Sequence, residues 1–123
     1  MRILMVDDVK DMRVLFRTML ESLGHEVLEA ENGERAIQVS LAEKPDLILM
    51  DLRMPLADGL LGTGALRSIS GFGSVPIIAV TADYSQKAKK EASAAGCDDC
   101  IGKPVTRDQL ADVISRYRFG RSA

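Results

Sequence analysis

The chain is poor in residues on which several kinds of site depend. It contains no tryptophan, two cysteines and one histidine, His25. A zinc site built on Cys97 and Cys100 would need two further ligands, and His25 is the only histidine that could serve. A thioredoxin-like C-x-x-C would open a helix, whereas here Ile101-Gly102-Lys103-Pro104 follows. The spacing therefore predicts two small, partly buried apolar side chains rather than a metal site or a redox pair.

The sequence also lacks a basic excess and any long apolar run. Its 123 residues carry a formal net charge of −2, which argues against non-specific binding to nucleic acid. No apolar run approaches the roughly 20 residues that cross a bilayer. The first run meets Asp7-Asp8 too early for the apolar region of a signal peptide. We therefore expect one domain over residues 1–123, located in the cytoplasm, with no direct contact to nucleic acid or membrane.

Short apolar runs predict the strands. Three runs are apolar on both faces, as in a parallel sheet covered on both sides: Ile3-Leu4-Met5-Val6, Leu47-Ile48-Leu49-Met50 and Ile77-Ile78-Ala79-Val80. Val27-Leu28 and Cys100-Ile101 predict two shorter strands.

Longer segments between these runs show the periodicity of helices. The first predicted stripe ends at Gly24 and consists of Met12, Leu15, Phe16, Met19, Leu20 and Leu23. A second helix carries Ala36, Ile37, Ser40 and Leu41 and stops before Pro45. A fourth spans Tyr84 to Ala95 with Gly96 as its C-cap, and a fifth buries Leu110, Val113, Ile114 and Tyr117 after the N-cap Thr106. The third helix, within Leu60 to Ile69, is the weakest, because Gly62 and Gly64 each cost about 1 kcal/mol relative to alanine.

Alternation of strands and helices implies right-handed crossovers and a parallel sheet with helices on both faces. Five such units predict an α/β fold with the flavodoxin-like strand order 2-1-3-4-5. In that order ligands bind at the carboxyl ends of the strands, beside the switch point between strands 1 and 3. The residues that directly follow each strand are therefore the candidates for function.

Charged and hydroxyl side chains follow four of the predicted strands. They are Asp7, Asp8, Asp51, Thr81 and Lys103. Crowded carboxylates repel one another unless a cation compensates, and Mg²⁺ favours carboxylate, water and phosphate oxygens. A lysine and a hydroxyl opposite the carboxylates suit a phosphoryl group. Each residue alone would more often be a turn or cap residue, but their joint position predicts a phosphoryl site that uses Mg²⁺.

Four segments carry a resemblance that extends over nearly the whole chain. They are Val6-Asp7-Asp8, Met50-Asp51-Leu52-Arg53-Met54-Pro55 with Asp58-Gly59, Val80-Thr81-Ala82, and Gly96-Cys97-Asp98-Asp99 running to Lys103-Pro104. Together they resemble the receiver domain of two-component response regulators. The resemblance implies that Asp51 takes a phosphoryl group from a histidine kinase or a histidine phosphotransfer protein. It further implies that Asp8 and Asp51 ligate Mg²⁺ directly, Asp7 mainly through water, and Arg53 through its backbone carbonyl.

The resemblance also implies how the site would switch. Lys103 would pair first with Asp51 and then with the phosphoryl oxygens, while the Thr81 hydroxyl moves inward to bond them. Ala82 would leave the site accessible, and Pro104 would follow a cis peptide bond. The switched domain would control a protein partner through the surface of the fourth helix, fifth strand and fifth helix. A phosphorylation-dependent dimer stays open, and the chain would catalyse only its own phosphorylation and dephosphorylation.

Three positions depart from the commonest receiver pattern. Cys100 stands where many receivers carry Tyr or Phe in strand 5, which leaves the usual aromatic switch without its ring. The third helix is unusually rich in glycine. Arg53 and Asp83 flank the predicted phosphoryl site with opposite charges, and we expect them to pair across its mouth as a lid.

Other functions fit the residues less well. A Mg²⁺-dependent phosphatase with an aspartyl nucleophile would carry a second aspartate where Arg53 stands. A nucleotide-binding loop at Gly62-Thr63-Gly64 lacks the third glycine. An inactive scaffold would not need Asp8, Asp51, Thr81 and Lys103 together. The chain is expected to be a stand-alone receiver or part of a longer protein, and a strand that begins at Met1 favours a natural N-terminus.

Overall fold

Strands and helices alternate along the chain. The computed structural model describes residues 1–52, 58–69 and 71–120. Within these ranges the elements are β1 (Arg2–Val6), α1 (Lys10–Ser22), β2 (Glu26–Ala30), α2 (Gly33–Glu43), β3 (Leu47–Asp51), α3 (Asp58–Ser68), β4 (Ile77–Thr81), α4 (Gln86–Ala95), β5 (Asp99–Gly102) and α5 (Arg107–Arg116). All ten elements overlap the segments predicted from the sequence, including the two short strands and the glycine-rich third helix.

The strands form one sheet in the order β2-β1-β3-β4-β5, and every neighbouring pair is parallel. This confirms the predicted α/β fold and its strand order. Every residue of β3 and β4 is buried, as their unbroken apolar runs predict for central strands covered on both faces.

Two hydrophobic cores lie on opposite faces of the sheet. Successive strand residues point to opposite faces, so Leu47 and Leu49 of β3 enter the core beneath α1 and α5. Ile48 and Met50 enter the other core, beneath α2, α3 and α4. Helices thus cover both faces of the sheet. The polar side chains at the carboxyl ends of the strands lie outside both hydrophobic cores.

Two residues of the predicted helical stripes lie outside these cores. Leu15 of α1 is 48% exposed and Leu41 of α2 is 51% exposed, so their predicted burial is wrong. Each lies at the border of its stripe, and the sheet covers only the part of the helix that faces it. The fifth helix behaves as predicted, with Leu110, Val113, Ile114 and Tyr117 all buried.

Helix ends follow the predicted capping residues, with one shift. The Thr106 hydroxyl accepts the backbone N–H of Gln109, whose side chain accepts the N–H of Thr106, a complete capping box. Gly96 ends α4 with a φ of 114°, the left-handed conformation that glycine adopts most easily. Ser85 caps the start of α4, so Tyr84, predicted to be helical, lies in the loop between β4 and α4.

Glycines in α3 are explained by close backbone contacts. A Cβ on Gly59 would overlap the backbone oxygen of Asp51, so the first turn of α3 passes directly over the end of β3. A Cβ on Gly62 would lie 3.2 Å from the Cα of Gly33, where α3 meets the start of α2. Gly64 has open space around it. Gly59 and Gly62 thus lower the helix propensity of α3 but allow it to lie close to β3 and α2.

Arg67, near the end of α3, joins several loops at the edge of the sheet where β4 and β5 begin. Its guanidinium lies 2.7 Å from a carboxylate oxygen of Asp98, and the same oxygen accepts the backbone N–H of Ile77 at 3.0 Å. Arg67 also donates to three backbone carbonyls at 2.5 to 2.9 Å, those of Phe72, Val75 and Gly96. We call Arg67 and Asp98 the structural ion pair. Both side chains are largely buried.

None of the described helices is both long enough and apolar enough to traverse a bilayer.

Candidate functional site

The side chains that follow four strands meet at the carboxyl edge of the sheet. Asp7 and Asp8 follow β1, Asp51 ends β3, Thr81 ends β4, and Lys103 follows β5. Because all the strands are parallel, these ends lie on the same side, and the neighbouring registers place Asp51 level with Val80. The structure therefore brings together the residues that the sequence singled out.

Three carboxylates, those of Asp7, Asp8 and Asp51, lie at this edge, which we call the acidic edge. One oxygen each from Asp7, Asp8 and Asp51 lies within 4.8 Å of the others. Asp7 is fully buried and Asp51 is 2% exposed, whereas Asp8 faces solvent. Like charges at this separation oppose one another, and a divalent cation with oxygen ligands would relieve the repulsion. The donor set, made of hard oxygens with one carboxylate open to water, fits Mg²⁺.

Lys103 lies against the carboxylates from the β5 side. Its Nζ is 3.4 Å from Asp7 Oδ2 and 3.6 Å from Asp51 Oδ2. The backbone N–H of Lys103 donates to the carbonyl of Thr81 at 2.8 Å, which holds the residue beside the end of β4. The Lys103–Pro104 peptide bond is cis, as expected. The Lys103 side chain is 19% exposed, and its ammonium is shared at 3.4 and 3.6 Å between two carboxylates.

Asp7 is held in place by partners that sequence reasoning missed. Its Oδ1 accepts the backbone N–H of Val9 at 2.9 Å. The Arg13 guanidinium donates to the backbone carbonyl of Asp7 at 2.7 Å and pairs with Glu29 at 3.0 Å. Arg13 reaches Asp7 from α1, and the pairing of β1 with β2 brings Glu29 to Arg13. No local motif marks them.

Glu29 carries the charge that orients these arginines. Burial opposes its ionised form, but hydrogen bonds from Arg17 and Arg13 outweigh that cost and hold the pKa of the Glu29 carboxyl below its usual value. The distances to Glu29 are 2.7 Å from Arg17 and 3.0 Å from Arg13. This network anchors the start of α1 against β2, directly behind Asp7.

The Thr81 hydroxyl is already engaged with the loop that follows β4. It donates to the backbone carbonyl of Asp83 at 3.2 Å and accepts the backbone N–H of Asp83 at 3.0 Å. Thr81 is buried and lines, with Asp83, a small cavity of about 120 Å³ beside α3 and α4. To donate to a group bound at Asp51, the hydroxyl would have to give up its hydrogen bond to the Asp83 carbonyl.

Arg53 lies outside the described residues. Its predicted carbonyl ligand and its predicted pairing with Asp83 therefore stay predictions. Asp83 itself is exposed, and its carboxylate accepts the backbone N–H of Ser85 at 3.2 Å. Ala82, the residue expected to leave the site accessible, is also exposed.

The two cysteines are free, with Cys97 buried and Cys100 partly buried. Burial raises the pKa of the Cys97 thiol to about 11, so it stays protonated near neutral pH and is a poor nucleophile. Both cysteines pack against the core beneath α2, α3 and α4. The prediction of small apolar side chains is confirmed.

Comparisons with known proteins agree with this geometry. The model of the response regulator receiver domain matches residues 3–115. Protein PilH of Pseudomonas aeruginosa is 36% identical over 119 residues, covering 97% of this chain and 98% of PilH. Sensor protein GacS of Pseudomonas syringae is 37% identical over 119 residues, but these cover 94% of this chain and only 13% of GacS. The chain thus spans nearly all of one relative and a small part of the other.

A solved structure shows the same fold with a metal ion. The receiver domain of the sensor histidine kinase PA1611 from Pseudomonas aeruginosa has a magnesium ion coordinated in its active-site cleft. It superposes with a TM-score of 0.86 at 34% identity, covering 94% of each chain. Strand order, acidic edge, family model and relatives all agree. The chain belongs to the response regulator receiver domain family of two-component signalling.

Proposed function

We propose that Asp51 accepts a phosphoryl group from a phosphohistidine on a histidine kinase or a histidine phosphotransfer protein. Asp8 and Asp51 would hold Mg²⁺ directly, Asp7 mainly through water, and the Arg53 carbonyl would add a further oxygen. The observation that carries the proposal is the buried Asp51 carboxylate, placed among two more carboxylates and 3.6 Å from the Lys103 ammonium.

The chemistry follows from these groups. A carboxylate oxygen of Asp51 attacks the phosphorus, a new O–P bond forms, and the P–N bond to the donor's imidazole breaks. The donor leaves as a neutral imidazole after taking up a proton. Bound Mg²⁺ would supply positive charge against the phosphoryl oxygens. Lys103, freed from Asp51, turns its ammonium toward an oxygen of the new phosphoryl group, where a charged hydrogen bond replaces an ion pair.

The switched state would act on another protein. Once the phosphoryl group is in place, the Thr81 hydroxyl leaves Asp83 to bond it, and the loop before α4 rearranges. The affected surface is formed by α4, β5 and α5, where we place the downstream partner or a second copy of the chain. In this proposal the protein catalyses only its own phosphorylation and dephosphorylation. The cytoplasm, where its kinase would present the phosphohistidine, is the proposed compartment.

Intact-mass spectrometry after incubation with acetyl phosphate and Mg²⁺ tests the proposal. We expect one phosphoryl adduct that disappears with EDTA and in Asp51→Asn. Asp112→Asn is the matched control, because Asp112 is an exposed aspartate on α5 that pairs with Arg116 and is not one of the three clustered carboxylates. Full labelling of Asp51→Asn, or labelling that persists in EDTA, would overturn the assignment.

A further inference from the structure

Tyr84 lies on the face of β5 where receivers commonly carry an aromatic side chain of the strand itself. A Cβ added to Gly102 would lie 3.2 Å from both Cβ and Cγ of Tyr84 and 3.3 Å from its Cδ1. The base of the tyrosine ring thus rests on the bare backbone of Gly102. Cys100 lies two residues earlier on the same face of β5, and its short side chain leaves this space free.

Two cavities adjoin Tyr84. One of about 210 Å³ is lined by Tyr84, Cys100, Lys89 and residues of the α4–β5 turn. Another of about 460 Å³ is lined by Tyr84, Cys100, Gly102, Lys103 and residues of α5. Tyr84 is 53% exposed. It therefore separates the α4 side of β5 from the α5 side, and it can move without opening the core.

Tyr84 is attached to α4 on one side. The Lys89 ammonium lies 3.8 Å from the centroid of the Tyr84 ring, a cation–π contact. Ser85, the next residue, caps α4 through its hydroxyl. A displacement of the ring would therefore be felt in the first turns of α4.

Tyr84 is attached to the acidic edge on the other side. The residue before it, Asp83, is held to the Thr81 hydroxyl by two backbone hydrogen bonds, at 3.0 and 3.2 Å. The Asp83 carboxylate also accepts the backbone N–H of Ser85. Asp83 thus holds the chain on both sides of Tyr84, because its backbone is bonded to the Thr81 hydroxyl and its carboxylate is bonded to the backbone of Ser85.

We propose that Tyr84 is the positioning residue through which the acidic edge acts on β5 and α4, so that an aromatic supplied by the β4–α4 loop does here what a strand aromatic does in other receivers. The proposal rests on the function proposed above. When the Thr81 hydroxyl turns to donate to a phosphoryl oxygen, it gives up its hydrogen bond to the Asp83 carbonyl, and Tyr84 loses its fixed position on Gly102. The surface on both sides of the ring changes as a result.

Fluorine NMR can follow this ring directly, because the chain contains two tyrosines, Tyr84 and Tyr117. Protein labelled with 3-fluorotyrosine should give two ring resonances, which Tyr84→Phe and Tyr117→Phe assign. Beryllofluoride with Mg²⁺ serves as the phosphoryl mimic, and its own bound fluoride resonance reports occupancy. We expect the Tyr84 resonance to shift on saturation while that of Tyr117 stays. At full saturation, Thr81→Ala should leave the Tyr84 resonance unshifted.

Further variants separate a coupling role from simple cover of the edge strand. Amide shifts of residues 99–102 and of Lys89 on beryllofluoride binding should persist in Tyr84→Phe and be lost in Tyr84→Ala. Gly102→Ala should displace the Tyr84 resonance before any adduct forms, whereas Gly64→Ala, in open space, should not. Amide shifts in Tyr84→Ala equal to wild type would show that Tyr84 only covers β5.

The outcomes also distinguish this inference from the proposed function. A wild-type protein that shows no bound fluoride resonance would overturn the proposed function and the inference together. A bound resonance with an unmoved Tyr84 ring, or a ring that moves equally in Thr81→Ala, would overturn the inference alone.

Discussion

Two clusters of charge in this domain each set a basic side chain against carboxylates, but they differ in how fully their charges are compensated. In the structural ion pair, the Arg67 guanidinium meets Asp98 at 2.7 Å and fills its other donors with backbone carbonyls. At the acidic edge, Lys103 lies 3.4 and 3.6 Å from two carboxylates, with a third nearby. The first cluster balances its charges and its hydrogen bonds, whereas the second sets three carboxylates against one ammonium.

The difference shows how a fold separates stability from chemistry. A buried charge is stabilised when opposite charge and hydrogen bonds surround it, and such a cluster resists change. Excess carboxylate held at short distance favours the arrival of a cation or a change in bonding, because either relieves repulsion. We infer that Arg67 and Asp98 hold the α3, β4 and β5 ends together, while the acidic edge is kept ready for ligands.

The largest expected effect comes from breaking the structural ion pair. Arg67→Ala leaves the Asp98 carboxylate buried with a reduced set of partners and leaves three carbonyls without their donor. We expect a loss of about 3 to 5 kcal/mol in the free energy of unfolding, measured by urea denaturation. Arg116→Ala is the matched control, since Arg116 is 54% exposed and its pairs with Asp99 and Asp112 are worth about 0 to 1 kcal/mol. Equal losses in the two variants would refute the distinction.

The next effect tests the tight approach of α3 to the acidic edge. Gly59→Ala places a methyl group on the backbone oxygen of Asp51, and we expect it to cost about 1 to 3 kcal/mol of stability. Gly64→Ala, on the same helix but in open space, should instead stabilise the fold by about 0.5 to 1 kcal/mol through helix propensity. Thermal denaturation of both variants checks the pair, and a stabilised Gly59→Ala would contradict the close packing.

A smaller effect concerns metal binding at the acidic edge. Asp8 is the exposed member of the three carboxylates, so its removal should spare the fold. We expect Asp8→Ala to weaken the affinity for Mg²⁺ at least tenfold, or about 1.4 kcal/mol, as measured by titration calorimetry. Mg²⁺ should also raise the midpoint of thermal unfolding in wild type and much less in this variant. Equal affinities in the two proteins would remove Asp8 from the ligand set.

Much of the fold could be predicted because its signals are local. The apolar runs of β3 and β4 and the stripe of α5 record burial in short stretches of sequence. Capping at Thr106 and Gly96 also depends only on neighbouring residues. The errors at Leu15 and Leu41 have the opposite origin, because how far a neighbouring element covers a helix face depends on packing between distant segments.

The candidate site divides in the same way. Position after a strand was enough to select Asp7, Asp8, Asp51, Thr81 and Lys103, since parallel strands carry their carboxyl ends to one edge. Glu29 was missed because only the pairing of β1 with β2 brings it to Arg13, and Arg13 was missed because it contacts the backbone of Asp7 rather than its side chain. The structural ion pair was missed because 31 residues separate Arg67 from Asp98.

The sequence by itself determined the order of elements, the burial of the strands and the identity of the residues at the strand ends. These follow from periodicity and from chain direction, which are properties of a single stretch of chain. Only the tertiary structure decided that Gly59 must admit Asp51, that Arg67 must close the loops around Asp98, and that Tyr84 must rest on Gly102 beside Cys100. Each of these depends on how separate elements pack against one another, which no local pattern records.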